Sequence, residues 1–223
     1  HRNNIDETDQ AFAGRLYDQN GNLVVYEVLM NEAEFDYVVE NKLYNVNGQV
    51  DFYNTQGIAN FPAGGTDVGA IEIKFAWKQL VEGDPLNHRY FQSMAFVINP
   101  ETQKFDSVPK LMGMIGMHIS QKTPTGKQWV WSTFEHIDNL DENLIENQNG
   151  GMKPIHPSLT DPNCEICPAN IDFDNGKKFT YKQDEHGNYW TIQGDSNKYY
   201  ANSDVLKTQS KRMVDIPKRV QSV

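Results

Sequence analysis

Apolar and polar positions alternate most cleanly between Ile71 and Lys78. Ile71, Ile73, Phe75 and Trp77 fall on one side, and Glu72, Lys74, Ala76 and Lys78 on the other. A period of two is the mark of a strand whose faces meet different surroundings. Tyr90 to Ile98 reads as a further strand, ended by Asn99-Pro100. Leu111–Gln121 and Gln128–Ile137, joined by Lys122-Thr123-Pro124-Thr125-Gly126-Lys127, predict a long hairpin. Upstream, Gly14–Tyr17 and Leu23–Met30 flank the turn-forming run Asp18-Gln19-Asn20-Gly21-Asn22 and predict another. That run lacks the downstream glutamate of a calcium loop and reads as a plain turn.

Phe35, Val38 and Val39 form an apolar stripe at helical spacing. Asn31, with Glu34 three residues on, has the pattern of a capping box, so one short helix is expected over about residues 32 to 42. Asn47-Gly48 reads as a turn and Phe61 to Asp67 as a loop. From Asp138 to about Asp184, Asn, Asp, Pro and Gly dominate and predict an irregular excursion, with a last strand at Tyr189–Gln193. The fold class expected is mainly β: antiparallel sheets in two packed layers, one short helix and a long irregular C-terminal segment. Residues 1–12 read as a flexible lead-in, 13–206 as a single β-rich domain and 207–223 as a basic C-terminal arm.

Composition narrows the partners. A chain of 223 residues can bury one sizeable core, and 11% aromatic residues supply it despite a mean hydropathy of -0.65. A formal net charge of -10 repels nucleic acid and anionic membranes alike. No apolar run reaches the roughly 18 residues of a membrane span; the longest, Lys110 to Ile119, is broken by Gly113 and Gly116. The partner expected is therefore a protein or small molecule, with no nucleic acid and no membrane span. No P-loop, dinucleotide fingerprint, nucleophile elbow or H-E-x-x-H motif is present, and no cofactor is expected.

The long hairpin gathers the candidate chemistry. If Lys122 lies opposite Lys127, His118 faces Trp131 and shares its surface with Trp129 and Glu135, while Met117, Ile119, Phe134 and His136 take the other. These four side chains, His118, Trp129, Trp131 and Glu135, are the candidate ligand-binding residues. A His and a Glu beside two tryptophans could serve as an acid/base pair, as metal ligands or as a polar patch on an apolar wall. His118, Glu135 and His136 are the candidate metal ligands. Against this, tryptophans at alternate strand positions ordinarily pack, and a lone His ordinarily bonds a backbone carbonyl.

Three segments carry a resemblance: Val68 to Lys78, Leu111 to Thr123, and the run Gln128-Trp-Val-Trp-Ser-Thr-Phe-Glu-His-Ile-Asp-Asn139. Together with the D-x-N-G turn and Cys164-Glu-Ile-Cys-Pro-Ala-Asn170, they resemble bacterial exported proteins labelled cytochrome c family proteins. The resemblance covers about residues 14 to 170 and implies a shared fold and a periplasmic or extracellular location, not electron transfer; an association with a redox system is a further expectation. Members often end in C-x-x-C-H, whereas here Pro168 follows the Cys pair, so no covalent haem is expected. Cys164 and Cys167 could form a small disulfide, half a zinc site or a redox pair. In an exported setting the disulfide is the first expectation, ahead of metal binding with His156. The functional expectation is an exported non-catalytic module binding a partner or small ligand. The alternative is an unfamiliar metal-assisted enzyme using His118, Glu135 and His136.

Overall fold

The computed structural model describes residues 4–5, 16–99, 102–140, 143–146, 150–162, 182–186, 189–192 and 198–200. The chain forms two compact units, one of His1–Glu7 with Val25–Glu135, the other of Thr8–Val24 with His136–Val223.

The first unit is a seven-stranded sheet carrying a helical hairpin. Its strands are β1 (Asn4–Ile5), β2 (Val25–Met30), β3 (Ile71–Gln79), β4 (Gln92–Asn99), β5 (Lys104–Phe105), β6 (Lys110–Thr123) and β7 (Gly126–Glu135). The 14-residue β6 is the central member. It pairs with β3 along one edge and divides the other between β4 near its start and β7 towards its end. The main path runs β1-β4-β6-β3-β2. All these pairings are antiparallel except β1 with β4, and β1 also approaches β2, so the sheet curls back on itself.

The alternation in the sequence decides which face is dry. Val25, Trp77, Ala95, Val97 and Met112 form the buried core, with Phe75 and Met114 against it. The Trp77 ring lies 5.9 Å from Phe75 and 6.2 Å from Phe91. Each large apolar side chain removed from water contributes roughly 1.5–3 kcal/mol. The register shifts between Ala76 and Trp77, which pair with Gly116 and Met114, and the extra residue Ile115 is itself buried.

The helices are α1 (Glu32–Glu40) and α2 (Val46–Gln56). Asn31 starts α1 by accepting the Glu34 N–H at 3.1 Å. The same oxygen accepts the Ile71 N–H at 3.0 Å, and the Asn31 amide donates to the Gly69 carbonyl at 2.8 Å. Asn31 thus bonds the helix start to the start of β3. Only half of the expected capping box forms, because the Asn31 backbone N–H donates to the Ile71 carbonyl instead of to Glu34. Asn45 caps α2 through the Gly48 N–H at 2.8 Å. The connecting turn passes through Lys42 at φ 56° and presses on Gly48, where a Cβ would overlap the Lys42 carbonyl. Rings of Phe52, Tyr37, Phe61 and Trp129 then run in series at 6.4, 4.8 and 5.5 Å, tying both helices to β7.

In the second unit, Tyr17 and Leu23 bridge across the Asp18–Asn22 turn. The Asp18 carboxylate closes it by accepting the Asn20 and Asn22 N–H groups, each at 2.8 Å. Gln19 N–H donates to the Ser158 carbonyl and Ser158 N–H to that of Asp138, both at 2.7 Å. The unit also holds the hairpin β8 (Asn143–Glu146) and β9 (Met152–Ile155), and a small sheet of β10 (Lys182–Gln183), β11 (Tyr189–Ile192) and β12 (Lys198–Tyr200).

The mainly antiparallel β class agrees with the sequence, and three details differ. Asn47-Gly48 lies in the first turn of a second helix. The lead-in contributes β1 at Asn4–Ile5, and the expected irregular stretch contains β8 and β9. The basic stretch 207–223 lies outside the described residues.

Asn31→Ala removes a cap and two bonds to the β3 start together, an expected loss of about 2–3 kcal/mol. Asn31→Asp keeps the accepting oxygen and loses only the donor, so urea unfolding midpoints should rank wild type, Asp, Ala.

Candidate ligand-binding face

Paired residues on neighbouring strands point to the same side of a sheet. Three rows therefore cross the face opposite the core: Tyr26–Ala76–Gly116–Glu135, Val28–Lys74–His118–Thr133 and Met30–Glu72–Ser120–Trp131. His118 sits in the middle row between a lysine and a threonine. Its Nδ1 lies 2.9 Å from the Thr133 hydroxyl, a bond along the row rather than to a backbone carbonyl. Lys74 places its ammonium 4.8 Å above the buried Tyr26 ring, and Lys78 does the same over Tyr90 at 4.5 Å.

The register differs from the sequence expectation in an informative way. At the turn, Thr123 pairs with Gly126, as expected. Beyond it the register shifts, so Gln121 pairs with Val130 and residues 127 to 129 of β7 stand opposite Lys122 alone. The shift is two residues. His118 therefore meets Thr133 instead of Trp131, yet the faces keep their membership: His118, Trp131 and Glu135 remain on one side, Met117, Ile119 and Phe134 on the other.

The candidate residues do not all converge. Trp129, in the bulge, is half-buried against Phe61 and pins the helices. Trp131 is 64% exposed, and Glu135, diagonal to His118, is also exposed. His136 belongs to the second unit, where its Nδ1 accepts the Asp138 N–H at 3.2 Å. Among the described residues no three His, Cys, Asp or Glu side chains come together as a metal site. His156 Nε2 donates to the Thr160 carbonyl at 2.8 Å. Cys164 and Cys167 lie outside the described residues.

Sequence reasoning missed two buried glutamates whose carboxyls are shifted upward. Glu34 lies beneath α1, 5% exposed, and its Oε2 has no hydrogen-bond partner. Burial, and then the negative charge of Glu72, hold its carboxyl above the ordinary range. Glu27 lies on the core face, diagonal to Trp77. Burial raises it as well, opposed by the nearby Trp77 indole, whose N–H has no acceptor at good geometry. The glutamate at the third helical position suggested a reciprocal cap, and no feature of the pattern showed that its partner N–H would be taken by β3.

The chain matches no family model, no curated protein and no solved structure.

The raised carboxyls set a pH dependence. Below about pH 4 the group is protonated folded and unfolded, and the shift costs nothing. As pH rises, the unfolded chain releases its proton first, and stability falls until the folded carboxyl ionises. Glu34→Gln should therefore raise the melting temperature at pH 8 more than at pH 4, as scanning calorimetry would read. An equal gain at both values would show that Glu34 carries no shift.

Proposed function

We propose that this chain is an exported, non-catalytic binding module whose ligand or partner meets the face of β3, β6 and β7 opposite the core. The observation that carries the reading is the exposure of Trp131, whose side chain is 64% accessible at the middle of a strand. A large indole left in water forgoes burial, and such residues recur where a surface is covered on binding. The same face carries groups able to orient a polar ligand. Lys74 is a cation held over Tyr26, Glu135 offers a carboxylate, and the His118–Thr133 pair supplies ring nitrogens and a hydroxyl. Planar aromatic contact with a few placed polar groups is the common pattern of small-ligand recognition.

Binding is favoured over metal-assisted catalysis because, among the described residues, no three His, Cys, Asp or Glu side chains form a metal site, and His118 is engaged by Thr133. Export and a redox association belong to the same proposal and rest on the resemblance of residues 14 to 170 to the exported group. Cys164 and Cys167 would then be joined as a loop-closing disulfide.

Two experiments test the proposal. Tryptophan emission is titrated with a panel of soluble oligosaccharides and aromatic acids. A ligand that binds this face should lose about tenfold in affinity in His118→Ala and in Trp131→Ala. Undiminished binding in both variants would remove the face from consideration, and His118-dependent turnover of any compound would replace binding by catalysis. For the cysteines, alkylation of the secreted protein should leave both thiols unmodified until a reductant is added, read by intact mass. Full labelling without reductant would sink the disulfide.

A further inference from the structure

We propose that the hairpin of α1 and α2 is a second docking surface, for a cationic amphipathic segment of a partner protein. The inference is independent of the sheet-face reading. It starts from which sides of the helices the fold uses. α2 buries Gly48 and Phe52, while Val46, Val50 and Tyr53, one stripe at spacings of four and three, point away from them and are 72%, 52% and 66% exposed. α1 behaves likewise: Glu34 is buried and Tyr37 and Val38 are half-buried, while Phe35 and Val39 are exposed. The helices' own packing is complete without these five side chains, since the ring series from Phe52 to Trp129 already anchors them.

Charge selects the occupant. Glu32, Asp36 and Glu40 are exposed at four-residue spacing, forming an acidic ridge beside Phe35 and Val39 on the same helix. Lys42 is the only cation between residues 31 and 57. A second copy of this chain would set ridge against ridge, and an anionic bilayer would be repelled by both the ridge and the net charge of -10. A segment with basic residues flanking an apolar stripe satisfies both components at once. The surface is also preformed: Asn31 and Asn45 cap the two helices, and Asn31 fixes the first to β3. Little ordering on the receptor side would therefore oppose binding.

The test titrates the full chain by calorimetry with a synthetic amphipathic peptide of Leu and Lys, and with its counterpart bearing Glu for Lys. The Lys peptide should bind, more weakly as salt is added, and the Glu peptide should not. Val50→Ser with Tyr53→Ser should weaken binding about tenfold or more. Glu32→Gln with Asp36→Asn and Glu40→Gln should weaken it by about tenfold and flatten the salt dependence. A control set removing as much charge elsewhere, Asp67→Asn with Glu82→Gln and Glu185→Gln, should change it less than about twofold. Circular dichroism of each variant should match wild type, since all these positions are exposed. Equal weakening by the control set would show diffuse charge attraction and overturn the proposal. So would binding of the Glu peptide or no binding of the Lys peptide. Self-association, or partition into phosphatidylcholine vesicles, that is lost in the Val50/Tyr53 variant would also overturn it, by naming a different occupant.

Discussion

The Asn31 carboxamide is the interaction on which the architecture of the first unit turns. A helix start leaves N–H groups unpaired, and an edge where a strand begins leaves further groups to satisfy. One side chain meets both needs, accepting from Glu34 and Ile71 and donating to Gly69. Because three partners constrain it, the angle at which α1 leaves the sheet is fixed. The consequence falls on Glu34. With the Asn31 N–H committed to Ile71, the glutamate has no reciprocal cap to make and is instead enclosed near Glu72. Part of the stability gained at the cap is offset by a carboxyl held out of water.

The two faces of the sheet divide the labour differently. On the core side, Val25, Trp77, Ala95, Val97 and Met112 exclude water and make the curl stable. On the opposite side, basic groups are accommodated over rings: Lys74 over Tyr26 and Lys78 over Tyr90. Lys78 is buried, so the Tyr90 face supplies part of what solvent would have given its ammonium. Polar side chains there are held in place by rings and row neighbours.

Much of this was legible. The alternation at Ile71 to Lys78 identified a strand and the side on which Phe75 and Trp77 join the core, although Lys78 on the other side is buried as well. The second helix was not legible for a physical reason. Val46, Val50 and Tyr53 do stand at helical spacing, yet they are not the buried side, which carries only Gly48 and Phe52. Its apolar stripe of Val46, Val50 and Tyr53 faces water, and Asn47-Gly48 has the local chemistry of a turn. That spacing, with Asn45 as a cap, was the available clue. The short β8–β9 hairpin includes Pro154, a residue that argues against a strand unless it sits at an edge, as in a two-stranded sheet it must.

The candidate site shows how a register error can leave a surface intact. A tight pairing carried inward from the Thr123–Gly126 turn would set Trp131 opposite His118. The bulge at residues 127 to 129 takes up two residues, returning every side chain of β7 to its expected face while moving each one along by a full period. Two outcomes follow from that single irregularity. Trp129 falls within the bulge and meets Phe61, which makes it part of the helical anchor rather than of an open surface. Thr133 arrives opposite His118 and brings a hydroxyl within hydrogen-bond distance, where an indole would have offered only its ring. A regular hairpin would have packed Trp131 against the histidine; the bulged one separates them, orders the imidazole through Thr133 and leaves the indole to the solvent.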